Sequence, residues 1–440
     1  MPHSHAKQRN RRMLLSMLAG FPVRMLQILS GILIVPLAYR YLGAERFGLW
    51  SAVTALTSIL TLADFGIGNG LITTISAATG REEPERIRRA VSTAILIVGT
   101  IAAALLVALA LLTLLGDWAR WLNVAGTSAA GDARPAGALC VLSALLLLPV
   151  SLAAKIRTGL QEAFLNSAWD AAGVLLSLGL FVAAIRLDAG MAALAIAVGA
   201  GPVLAALGNG IGLLRRQSLR PRWSAVDFEG FEPVARLGLL YFALACAAAL
   251  ATAADNLIAI RLLGPASAGS VGIAAKIFGA AQAVVIVALM PLWPAFGEAL
   301  ARGDHRWARH ALWRSVGLSF GISLLGAGAL LAIANPVIGL WLGQGTVLPV
   351  GLLVANAVWL VLQSVGNVFA MLLNGAGVIR FQIAVSLSYA AVAVALKFWL
   401  ASRLGIAGIV WATVASYALL LLPLYVRYAL RYLDRVAAAA

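Results

Sequence analysis

Arg40-Tyr41-Leu42-Gly43-Ala44-Glu45-Arg46-Phe47-Gly48 recurs as Arg261-Leu262-Leu263-Gly264-Pro265-Ala266-Ser267-Ala268-Gly269, with Arg, Leu, Gly and Gly matching at a constant offset of 221 residues. That offset is close to half of the 440-residue chain. Each copy follows one long apolar run and precedes another, so both hold the same place in two consecutive sets of runs. This is the pattern of a helical unit duplicated in parallel orientation, as in transporters built from two halves.

Working outward from the two copies, apolar runs of membrane length fall at about 13–36, 48–74, 90–115, 136–154, 168–186, 190–214, 236–260, 267–297, 311–333, 348–373, 381–402 and 405–426. A helix needs about 20 apolar residues to cross a hydrocarbon core of about 30 Å. The sequence therefore predicts an all-α polytopic membrane protein of about 12 transmembrane helices. An N-terminal lobe is expected over 1–214, a cytoplasmic linker over 215–235 and a C-terminal lobe over 236–440. Composition excludes a soluble enzyme: 62% of residues are hydrophobic and 11% charged, with a mean hydropathy of +0.94. Soluble domains carry about 25% charged residues.

The net charge of +16 would raise nucleic acid as a partner in a soluble protein, but here it reports orientation. With the N-terminus inside, 23 Lys and Arg fall in inner segments and 8, Lys397 among them, in outer ones. Cations favour the cytoplasmic side, so both termini are expected there. The first run follows Lys7, Arg9, Arg11 and Arg12 as a signal peptide would. It is too long for one, carries Arg24 and lacks a small-residue exit, so it reads as a retained helix.

Polar groups inside spans are costly and are functional candidates. Arg24 lies twelve residues beyond Arg12, about 18 Å deep. It shares a helix face with Ser16, Gly20, Gln27 and Gly31. In the second run Thr54, Thr57, Thr61, Asp64 and Gly68 form another face, and Gly66 and Gly70 make a GxxxG suited to helix packing. Lys276 sits among Gly269, Gly272 and Gly279, and Asp255 precedes Arg261 in the same outer half, where the two can face each other. Asn356, Gln363, Asn367 and Asn374 fall within about 20° of one line along the tenth helix.

Each feature has a structural alternative. Arg24 could be a buried cation satisfied by carbonyls or by Asp64, Asp255 and Lys276 a structural ion pair, and the amides interhelical hydrogen-bond glue. Taken together, polar faces on four helices point to a water-filled cavity.

Chemistry of other kinds is missing from the sequence. Cys140 and Cys246 stand alone in apolar runs, and His3, His5, His305 and His310 form no HExxH. There is no GxxxxGK[ST] and no GxSxG. No metal site or resident cofactor is expected, and the chain reads as a transporter rather than an enzyme.

Several motifs then converge in order: Tyr41-Leu-Gly-Ala-Glu-Arg-Phe-Gly-Leu-Trp50, Ala63-Asp-Phe-Gly-Ile-Gly-Asn-Gly70, Gly159-Leu-Gln-Glu162, Met290-Pro-Leu-Trp-Pro-Ala-Phe-Gly-Glu298, Ile338-Gly-Leu-Trp-Leu-Gly343 and Leu373-Asn-Gly-Ala-Gly377. In these the chain resembles the Wzx-like polysaccharide transporter branch of the multidrug/oligosaccharidyl-lipid/polysaccharide (MOP) flippase superfamily, over nearly its whole length. The resemblance implies two six-helix lobes around a central cavity open alternately to either side. It implies as substrate an oligosaccharide on undecaprenyl pyrophosphate, flipped from the cytoplasmic to the periplasmic leaflet of a bacterial inner membrane for O-antigen, capsule or exopolysaccharide assembly. Membrane lipid and glycan-assembly proteins are the partners it implies.

On that resemblance, Arg24 and Lys276 would meet the pyrophosphate, and Gln27, Asn356, Gln363, Asn367 and Asn374 the glycan hydroxyls. Asp64 or Asp255 would be a carboxylate coupled to H+ or Na+. The alternatives are a multidrug exporter of the same superfamily, a lipid II flippase relative, disfavoured by twelve rather than fourteen spans, and a membrane glycan polymerase or ligase. Cationic rather than acidic spans argue against the exporter, and short outer loops against the enzyme.

Overall fold

The computed structural model describes residues 2–122, 124–221, 228–342 and 347–438. Residues 222–227 of the expected linker, and the side chain of Thr61, lie outside the described residues. The described chain is helical throughout, with no strand. Its helices are α1 (Pro2–Leu60), α2 (Ile67–Gly80), α3 (Pro84–Leu115), α4 (Trp118–Trp121), α5 (Ala130–Gly159), α6 (Ala163–Arg186), α7 (Gly190–Leu214), α8 (Phe228–Leu263), α9 (Pro265–Leu289), α10 (Leu292–Ala301), α11 (His305–Leu342), α12 (Val350–Gly375), α13 (Ile379–Leu404), α14 (Ile406–Ser416) and α15 (Leu422–Ala438).

The duplicated motif has a direct backbone counterpart. Gly43 breaks α1 in two with φ 72° and ψ 174°, and Gly264, its partner in the repeat, turns the chain from α8 into α9 with φ 86° and ψ 169°. Only glycine occupies that region without strain, because it has no Cβ. Pro265 at the first position of α9 then presets the helix after the corner.

Eleven helices among the described residues are long and apolar enough to cross a membrane. The difference from twelve lies in the run 48–74. That run is helical but interrupted by a 3-10 turn over Thr61–Asp64 and by Gly66 at φ 71°, so no single helix carries the whole stretch. The final run extends through a π-helical turn at Tyr417–Leu421 into the amphipathic α15, giving one long span over Ile406–Ala438.

The chain divides into two compact units, Lys7–Leu239 and Leu240–Ala440, the latter taking in Met1–Ala6. The division falls inside α8. In the first unit α5 is central, packed against α2, α3, α6 and α7. Close approach of α6 to α7 rests on Gly173 and Gly201: a Cβ on Gly201 would lie 2.2 Å from the Gly173 carbonyl oxygen. One corner of this unit is stapled by the repeat motif. Tyr41 Oη donates to Asp188 Oδ1 at 2.9 Å and accepts from Gly190 N at 2.9 Å. Glu45 accepts from Ser128 N and Oγ, and Arg46 pairs with Asp132 at 3.0 Å.

In the second unit α12 is the central helix, packed against α9, α10, α11 and α14. Over half of its most apolar window, 56%, is buried, against 17% for α11.

Candidate substrate and coupling sites

Arg24 is half-buried in α1. Its Nη1 donates to Gln27 Oε1 at 3.1 Å, one turn on, so the expected face is realised by these two side chains. Arg24 Nε is buried without a hydrogen-bond partner. No ion pair is made by Arg24 among the described residues, so the alternative in which Asp64 neutralises it is not realised.

Asp64 instead closes the turn before α2. Its Oδ1 accepts from Gly66 N at 3.0 Å and its Oδ2 from Gly68 N at 3.3 Å. A carboxylate is favoured at this positive end of a helix. Lys155 of α5 also lies beside Gly68. A Cβ on Gly68 would sit 2.9 Å from Asp64 Oδ2 and 3.1 Å from Lys155 Cε, and Lys155 Nζ donates to Asn69 Oδ1 at 3.1 Å.

Two cations near the end of α5, Lys155 and Arg157, are engaged within the fold. Arg157 is 5% exposed, with its Nε on Asn209 Oδ1 and its Nη1 3.4 Å from Glu162 Oε2. Asn209 donates in turn to Asn166 Oδ1 at 2.9 Å, and Arg216 reaches Glu162 at 2.8 Å. This network ties the ends of α5, α6 and α7. Asn166 and Asn209, amides at the ends of otherwise apolar runs, were its sequence signal.

In the second unit, the expected partnership of Asp255 with Lys276 is replaced. Asp255 on α8 forms an ion pair with Lys397 on α13. Lys397 had been counted among outer-loop cations; it is wholly buried, lying well before the end of a helix that runs to Leu404. Lys276 is exposed on α9, with no partner among the described residues.

The amide line on α12 divides into two pairs. Asn356 donates to Leu352 O of its own helix at 2.9 Å, and Asn374 Oδ1 accepts from Gln382 at 3.0 Å while its carbonyl accepts from Tyr241 Oη at 3.2 Å. Both side chains are thus engaged within the fold. Gln363 and Asn367, one turn apart, are half-buried, and Asn367 Nδ2 is buried without a partner. Beside them Ser364 donates to Gln282 Oε1 at 3.1 Å, and Gln282 Nε2 is likewise left without an acceptor. Gln282 was not singled out from the sequence because it stands alone in α9's apolar run. Among the described residues no cluster of His, Cys, Asp and Glu is arranged to hold a metal.

A comparison with curated proteins gives no match. Solved structures of the same fold include an outward-facing multidrug resistance MATE family transporter of the MOP superfamily, at TM-score 0.84 and 15% identity, covering 98% of this chain and 97% of that one. A MOP superfamily transporter from Pyrococcus furiosus, described as having a binding pocket of reverse polarity, matches at TM-score 0.81 and 15% identity over 98% of this chain and 96% of its own. A mutant of a Vibrio cholerae MATE transporter matches at TM-score 0.80 and 15% identity over 100% and 98%. At these identities the likeness concerns the fold. The sequence model of the polysaccharide biosynthesis protein family matches residues 15–300. The chain therefore belongs to the polysaccharide biosynthesis protein family, and its multi-helix membrane fold is similar to that of the solved MATE and MOP superfamily transporters.

Proposed function

We propose that the protein flips undecaprenyl-pyrophosphate-linked oligosaccharides from the cytoplasmic to the periplasmic leaflet of a bacterial inner membrane by alternating access, with both termini cytoplasmic. One observation carries this reading: two candidate side chains leave a buried donor without a partner, while the one buried acceptor without a hydrogen bond at the candidate positions, Asp255 Oδ1, lies in an ion pair with Lys397. Arg24 Nε and Asn367 Nδ2 are unsatisfied, whereas the Asp64 carboxylate takes two backbone N–H groups and that of Asp255 is held by Lys397. Buried donors call for acceptor-rich ligands, and phosphate and glycan oxygens are acceptors. A cationic drug would need free carboxylates instead.

Arg24 and Lys276 are the proposed phosphate contacts, and Gln27, Gln363 and Asn367 the glycan contacts. A proton or sodium ion is the proposed coupling species, with Asp64 and Asp255 as candidate carboxylates. Products of glycan assembly are the cargo, and assembly proteins the candidate partners.

Deleting the gene should cause undecaprenyl-linked saccharide to accumulate while surface polysaccharide falls, and Arg24→Ala at unchanged protein abundance should reproduce the defect. Normal surface polysaccharide with raised sensitivity to cationic drugs would instead establish the multidrug exporter.

A further inference from the structure

Helix α15 carries Arg427, Arg431 and Arg435 at successive steps of four, so the three guanidinium groups share one face over about 12 Å of rise. All three are exposed, with no ion pair among the described residues. Asp434, the one acidic residue of α15, is committed to Arg309 of α11 at 2.7 Å. Like charges one turn apart repel, so this ridge is disfavoured until an anion lies on it.

The ridge borders a groove of about 320 Å³. Its floor is fixed by Phe381, at the start of α13, stacked on Tyr428 with ring centroids 4.1 Å apart and planes at 20°. Its far end is the exposed Leu424, where α15 meets the apolar span. Along one groove, therefore, an apolar end passes through an aromatic floor to three cations. That sequence of surfaces matches a lipid at the interface: acyl chain, glycerol, phosphate.

We propose that this groove binds an anionic membrane phospholipid, its phosphate on Arg427, Arg431 and Arg435 and its first acyl carbons along the Phe381–Tyr428 stack towards Leu424. Arginine forks match phosphate oxygens two at a time, and basic clusters at the ends of spans select anionic headgroups. The proposal is independent of what the transporter carries.

The test is native mass spectrometry of the purified full-length protein with equimolar phosphatidylglycerol and phosphatidylcholine. The wild type should retain phosphatidylglycerol preferentially, on the order of tenfold or more. R427Q/R431Q/R435Q should bring the ratio near unity without altering thermal melting, since all three side chains are exposed. Equal preference in wild type and triple variant overturns the site. Added undecaprenyl diphosphate distinguishes the other source of lipid phosphate: if it displaces phosphatidylglycerol from the wild type and the triple variant no longer holds it, the groove belongs to the lipid carrier and the phospholipid assignment fails.

Discussion

Lys397 of α13 and Asp255 of α8 are ion-paired in the second unit, Lys397 wholly buried and Asp255 25% exposed on its side chain. Desolvating such a pair is costly, and removing one partner leaves a buried charge uncompensated. Lys397→Met should destabilise the protein by about 3–5 kcal/mol, while D255L/K397M should recover most of the loss. Thermal melting in detergent decides: a double variant no more stable than the single would mean the two charges do not act as a pair.

The two glycine corners give a sharper test of the duplication. A Cβ at Gly43 or Gly264 meets nothing within 4 Å, so substitution there costs backbone strain alone. Gly43→Ala and Gly264→Ala should each lower stability by about 1–3 kcal/mol. Gly269→Ala, equally unobstructed but with ordinary helical backbone, should be neutral or mildly stabilising. Equal melting temperatures for all three variants would remove the strain argument.

The contrast between those glycines shows what the sequence made legible. The apolar runs gave the spans, because crossing a bilayer imposes length and composition directly. The repeat located Gly43 and Gly264, because their conformation strains any residue that carries a Cβ. Charge pairing was not legible: Lys397 looked like an interfacial cation, and nothing in a one-dimensional pattern says that α8 and α13 meet. The amide line on α12 was correct as a helix face, but periodicity does not reveal that Gln382 already holds Asn374. The break at Thr61–Asp64 was likewise hidden, since Asp64 reads equally well as a polar residue within a continuous span.

Glu45 provides a pH-dependent tether outside the spans. Its carboxylate accepts from Ser128 N at 3.0 Å and Ser128 Oγ at 2.6 Å. Those two donors hold its pKa below the ordinary glutamate value. With the folded value depressed, the tether is complete above the ordinary carboxylate range and is lost as pH falls through the lowered value. Amide hydrogen exchange around Ser128, corrected for intrinsic rates, should therefore accelerate on acidification in the wild type. Glu45→Gln should exchange faster at neutral pH and respond less to acid; identical profiles for the two proteins would rule the tether out.

Asn367 and Asn374, two turns apart on the same face of α12, should behave oppositely. Removing Asn374 strips Gln382 of an acceptor in a buried setting, so Asn374→Ala should cost about 1–3 kcal/mol of stability. Asn367 has a buried donor with no partner to lose, so Asn367→Leu should leave melting unchanged or raise it slightly. If Asn367 meets a glycan oxygen, the same variant should slow export at normal abundance. Surface polysaccharide measured alongside protein level separates the two roles: loss of stability in Asn367→Leu would make it structural, and full export with intact stability would remove it from the substrate path.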